Sequence, residues 1–170
     1  EVDWNEQEEL VELKPVQRRI YNHLELQRPN GWIQQARKAL LDPRLVDPEV
    51  LKRAGVLGEV SISDSSKYKR LEELLTSDNG PVASGEKFVI FSSMFREGVT
   101  QQGHEYLKQR YAKIGRPDIY EALQLSTSLD QHLNARLFKK FGRNVNLGVI
   151  DGTIPDIEER ERVVERLSHD

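Results

Sequence analysis

The stretch Val145-Asn146-Leu147-Gly148-Val149-Ile150-Asp151-Gly152-Thr153, continuing into Ile154-Pro155-Asp156-Ile157-Glu158-Glu159-Arg160, decides how this chain is read. Its apolar residues follow a strand pattern, and Asp151-Gly152-Thr153 make a polar turn at the strand's end. Thr153 and Asp156 around Pro155 then give the start signal of an amphipathic helix. Val163, Val164 and Leu167 are expected to be that helix's buried face. The chain stops at Asp170, where an α/β domain would supply its next strand, and it starts at Glu1 without a methionine. The expectation is a piece cut from a larger unit.

A second apolar run, Lys87-Phe88-Val89-Ile90-Phe91, reads as a strand buried on both faces, as in parallel sheets covered by helices. Ser92-Ser93 would lie at its carboxyl edge, where ligands gather in open α/β sheets. Elsewhere the pattern is helical. Pro15 suits a first helical position, with Val16, Ile20 and Leu24 at four-residue spacing and a helix to about Gln27. Trp32 to Leu40 is a second helix, stopped by Asp42-Pro43. Asp47-Pro48-Glu49 is a helix start that ends near Gly55. Ser65 or Ser66 caps a helix with Tyr68, Leu71, Leu74 and Leu75 on its apolar face. Thr76 to Gly85 is a polar loop. Further helices are expected from Phe95 to about Ala112 and from Ile119 to Leu125. Ser128 with Gln131 opens one whose stripe is Leu129, Leu133, Leu137 and Phe141, closed by Gly142. The expected fold class is α/β.

Composition narrows the function. The 170 residues carry a net charge of -3, with 37% hydrophobic and 31% charged residues. That suits a protein with a core and gives no overall electrostatic case for nucleic-acid binding, although a local basic face stays open. There is no cysteine, hence no disulfide framework and no thiolate zinc site, which fits a reducing interior. No apolar run approaches the ~20 residues that span a bilayer, and no signal peptide opens the chain. An intracellular protein without a membrane partner is expected.

The ordered set of segments resembles the second RecA-like lobe of Swi/Snf-type DNA translocases of helicase superfamily two. The resemblance is carried by Ser65-Ser66-Lys67-Tyr68 with Leu71 and Leu74-Leu75, by Lys87 to Ser93, and by Ile150-Asp151-Gly152-Thr153 with Glu159-Arg160 and Val163. Gln17 to Tyr21 is similar to the Gln-x-x-x-Tyr helix that opens this lobe. Ala39-Leu40-Leu41-Asp42-Pro43-Arg44-Leu45 is similar to the segment after it, with Asp42 in the place of a histidine. The resemblance implies a partial RecA-like lobe over 64–170, preceded by a helical lead-in over 1–63. More than fifty residues separate Phe91 from Val145, so about 96–127 would be an insertion.

The same resemblance implies that Ser92 and Ser93 meet one strand of the nucleic acid. Asp151, Gly152 and Thr153 would lie near the phosphodiester backbone, with Arg160 bracing that turn. Lys67 would be structural. The parent protein would be a DNA-dependent ATPase using ATP and Mg2+, with double-stranded DNA and a first RecA-like lobe as partners. This chain lacks a phosphate loop, an acidic Asp-Glu-x-His segment and an arginine finger. No cofactor and no catalytic residue is therefore expected on it, and the isolated chain would hydrolyse no ATP. Strands without neighbours would leave open sheet edges and invite self-association.

Each feature also has a plainer reading. The serines and Thr153 could serve only as helix caps. His23, His104, His132 and His169 lack metal-site spacing. Glu158 to Arg162 suits a solvated helix face with ion pairs. Arg136, Lys139, Lys140 and Arg143 could meet phosphate or simply end a helix favourably against its dipole. Trp4 and Trp32 could stack on bases, but Trp32 lies on an apolar stripe that suits a core. The alternative function is a non-catalytic α/β protein-interaction module.

Overall fold

The computed structural model describes residues 8–92, 101–143, 145 and 157–169. Among these the regular structure is helical: α1 Pro15–Gln27, α2 Trp32–Leu41, α3 Pro48–Arg53, α4 Ser66–Thr76, α5 Pro81–Ser84, α6 Gln101–Lys113, α7 Pro117–Ala122, α8 Leu129–Phe141 and α9 Ile157–His169. Short 3₁₀ turns lie at Pro43–Leu45 and Ile62–Asp64. The start signals work as expected. Asp47 Oδ1 accepts from the Glu49 amide at 2.9 Å, and Ser65 Oγ accepts from the Tyr68 amide at 3.2 Å. α8 ends against Gly142, whose φ of 66° is the left-handed conformation that glycine takes freely.

The expected parallel sheet is not found, and the α/β reading is corrected: no strand occurs among the described residues. Lys87 to Phe91 has no regular structure, and Val89 and Phe91 are 74% and 94% exposed rather than buried on both faces. Four apolar residues fix neither strand nor core by pattern alone. A strand also needs a neighbour for its amides and carbonyls, and no pairing segment is described beside this one. The second expected strand, 145–150, lies outside the described residues except Val145, which has no regular structure. Self-association through open sheet edges therefore has no described edge to rest on. In α9, Val164 is 51% exposed, so it is not the buried position that the spacing suggested.

The chain divides into two units, Glu1–Leu71 with Met94–Leu129, and Glu72–Ser93 with Asp130–Asp170. In the first, Ile20, Leu24, Ala36, Ala39, Val46, Leu51, Val56 and Val60 form one apolar cluster, with Trp32 packed against it. These residues come from the i, i+4 faces of α1 and α2 and from the segment around α3. Leu45, Leu107, Tyr111, Ile119, Leu123 and Leu125 form a second cluster, which holds α6 and α7 beside the 3₁₀ turn. In the second unit, Leu75, Val82, Leu133 and Leu137 are buried, so the α8 stripe is an inward face as its spacing required.

Candidate functional site

The polar residues of the first unit concentrate in three places. The first is a knot around Gln17, which is fully buried on α1. Its Nε2 donates to the carbonyls of Ala39 at 2.9 Å and Leu40 at 3.2 Å. Its Oε1 accepts from Ser66 Oγ at 2.7 Å, from the Ser66 amide at 3.3 Å and from the Lys14 amide at 3.4 Å. Ser66 Oγ in turn accepts from the Lys14 amide at 2.9 Å, and Ser65 Oγ donates to the Leu41 carbonyl at 2.7 Å. One side chain thus ties the start of α1, the last turn of α2 and the first turn of α4. A buried amide is tolerated because both its nitrogen and its oxygen are satisfied.

The second is the buried pair Asp42–Arg44. Arg44 Nε donates to Asp42 Oδ1 at 2.9 Å and Nη2 to Oδ2 at 2.8 Å, a two-pronged contact that suits the planar guanidinium. Arg44 Nη1 also reaches the Thr127 carbonyl at 3.2 Å, and the Arg44 amide donates to Asp42 Oδ1 at 3.2 Å. The pair therefore stitches the α2 exit to the segment after α7. Its partners are all internal, which suits a structural role.

The third is a cleft of about 430 Å³ lined by His23, Pro29, Asn30, Gln35, Asp47, Glu49, Val50, Arg53, Tyr106, Arg110 and Lys113. Asp47, only 7% exposed, is its anchor. Arg110 Nε and Nη2 donate to the two Asp47 oxygens at 2.8 and 3.1 Å, and the Tyr106 hydroxyl donates to Oδ2 at 3.4 Å. The Asp47 amide donates to Gln35 Oε1 at 2.8 Å. The hydrogen bond to Asp47 raises the Arg110 pKa above the usual arginine value. Next to Arg110, Tyr111 is fully buried, and its hydroxyl has no hydrogen-bond partner among the described residues. Burial, and then the Asp47 charge, push that phenol well above its ordinary range. His104 Nδ1 and the Tyr120 hydroxyl lie 2.8 Å apart, with the rings edge to face.

Of the residues singled out from sequence as nucleic-acid contacts, Ser92 alone has a described side chain. Ser92 is exposed and without regular structure. Ser93, Asp151, Gly152 and Thr153 lie outside the described residues, and so does the side chain of Arg160, which falls within α9. In the basic cluster, Arg136 sits 3.5 Å from Glu72, Lys140 sits 2.8 Å from Asp78, and Arg143 donates to the Val82 carbonyl at 3.3 Å. These contacts give three of the four basic side chains a partner within the second unit.

The sequence reading missed the role of Gln17 as a hub and the whole Asp47–Arg110–Tyr106 cluster. Asp47 carried a visible signal, but only as a cap. Arg110 lies 63 residues away, and nothing in local spacing points from one to the other. No helix among the described residues is long and apolar enough to cross a membrane. Comparison with family models, with curated proteins and with solved structures returned no match for this chain.

Proposed function

We propose that this chain is a non-catalytic part of an ATP-dependent translocase acting on double-stranded DNA, and that its N-terminal helices brace the motor. The observation that carries the reading is the Gln17 knot. Three segments that resemble the translocase family, Gln17 to Tyr21, Ala39 to Leu45 and Ser65 to Tyr68, lie far apart in sequence yet share one hydrogen-bonded centre. ATP and Mg2+ would bind in the parent protein, together with a first RecA-like lobe, and the chemistry would be done there. The backbone contacts assigned by resemblance are Ser92, Ser93, Asp151, Gly152 and Thr153, with Arg160 behind the turn.

Binding of duplex DNA by the parent protein, measured across a salt series, tests this role. Affinity that falls with salt and weakens in Thr153→Ala and Arg160→Gln supports it, because phosphate contacts release counterions. Binding that neither variant changes, or no binding, contradicts it. A second reading, a non-catalytic helical interaction module, is favoured by the exposed apolar side chains of Val89 and Phe91. Under that reading Val89→Ser with Phe91→Ser abolishes partner capture and leaves DNA binding unchanged.

A further inference from the structure

The cleft beside α3 and α6 has an imbalance of charge that its internal contacts do not remove. Arg53, Arg110 and Lys113 line the cleft of about 430 Å³ together with Asp47 and Glu49, in a chain whose net charge is -3. Asp47 is fully engaged: it accepts from Arg110 Nε and Nη2, from Tyr106 and from the Glu49 amide. Its grip fixes the plane of the Arg110 guanidinium and leaves Nη1 with no acceptor among the described residues. Arg53 and Lys113 have no hydrogen-bond or ion-pair partner there either.

We infer that the cleft binds the phosphate groups of a small phosphorylated ligand, with Arg53, Lys113 and Arg110 Nη1 as the gripping groups. Three features argue for that chemistry. Arginine and lysine together suit a compact polyanion, arginine by its planar fork and lysine as a point charge. The fixed Arg110 is pre-organised, so little ordering entropy is lost when a ligand binds. The volume lies within the range of about 300–1,000 Å³ usual for small-molecule sites. Glu49 opposes the ligand. It therefore sets a limit on affinity that can be relieved without touching the anchor, because only its backbone amide bonds to Asp47. This inference is independent of the translocase reading, since none of these residues carries the family resemblance.

Calorimetric titration of the full chain with pyrophosphate at low salt tests it, with amide chemical-shift mapping to locate the site and thermal melting to confirm folding of each variant. The expected result is saturable binding with shifts at Arg53, Arg110 and Lys113. Arg53→Gln with Lys113→Gln, both exposed positions, weakens it about tenfold or more, and Glu49→Gln tightens it about threefold, as expected for partly screened charges. A nucleoside diphosphate that binds more tightly than pyrophosphate, with the same sensitivity to the variants, places the ligand among phosphorylated small molecules. Pyrophosphate binding that the double variant leaves unchanged, shifts mapped elsewhere, or capture of duplex DNA alone through these residues would overturn it.

Discussion

Gln17 and Ser66, separated by 49 positions in the chain, share a buried hydrogen bond of 2.7 Å, and the same glutamine holds the carbonyls of Ala39 and Leu40. Among the described residues no other side chain of α1 links three helices in this way through polar contacts. Removing it strands polar groups on two other segments. Gln17→Leu, which keeps the volume, is expected to lower stability by about 2–4 kcal/mol, because buried partners left unpaired cost more than the bond itself. A double-mutant cycle with Ser66→Ala, followed by chemical denaturation, should return a coupling of about 1 kcal/mol or more. Additive losses would show that the two side chains do not act together.

The Asp42–Arg44 pair makes a prediction of a different shape. Asp42→Ala leaves a buried guanidinium without its carboxylate and is expected to cost about 3–5 kcal/mol. Replacing both residues, Asp42→Leu with Arg44→Met, should cost clearly less than the two single changes together. If the double variant costs the sum of the singles, the two side chains do not act as a pair.

Tyr111 is a case where removing a polar group should help. Its hydroxyl is buried and has no partner among the described residues, while its ring packs in the α6–α7 cluster. Tyr111→Phe keeps the ring and drops the unsatisfied oxygen, so stability should stay level or rise by up to about 1 kcal/mol. A loss above that in equilibrium unfolding would reveal a contact to the hydroxyl. In alkaline titration followed by absorbance, a tyrosine that ionises well above the ordinary phenol range should be lost in Tyr111→Phe.

Two exposed acids offer a test of pH dependence. Asp78 is held below the ordinary value of 3.8 by the hydrogen bond and charge of Lys140, and Asp118 is held below it by Arg116. A depressed folded-state pKa contributes stability above the unfolded value, and that contribution is lost as pH falls through the folded one. Both effects therefore lie in the acid range below about 4, and solvent screening keeps them small. Carboxyl carbon titration by NMR should return Asp78 to its ordinary value in Lys140→Gln and leave Asp118 unmoved. An unchanged Asp78 midpoint would show that the pair does not persist in solution.

The helices were legible because their signals are local. Pro15 at the first turn, the Asp47 and Ser65 caps, and the Leu129–Leu133–Leu137 stripe all act within a few residues of themselves. Lys87 to Phe91 misled because a short apolar run looks the same whether it is a central strand or an exposed connection. Its fate depends on partners that no window of sequence contains. The same limit hid the knot and the cleft. Gln17 sits on an apolar stripe where a glutamine looks out of place, and that oddity was the one visible hint of a buried hub. Arg110 gave none, because its partner Asp47 lies on another helix start and already had a sufficient local role.

The most direct test of the central claim is ATP hydrolysis, with and without duplex DNA, by the parent protein and by this 170-residue chain alone. The account predicts Mg2+-dependent turnover stimulated by duplex DNA in the parent, reduced by Gln17→Leu under conditions where the variant remains folded, and no turnover by the chain alone. DNA-stimulated hydrolysis by the chain itself, or a parent whose turnover ignores DNA, would contradict it.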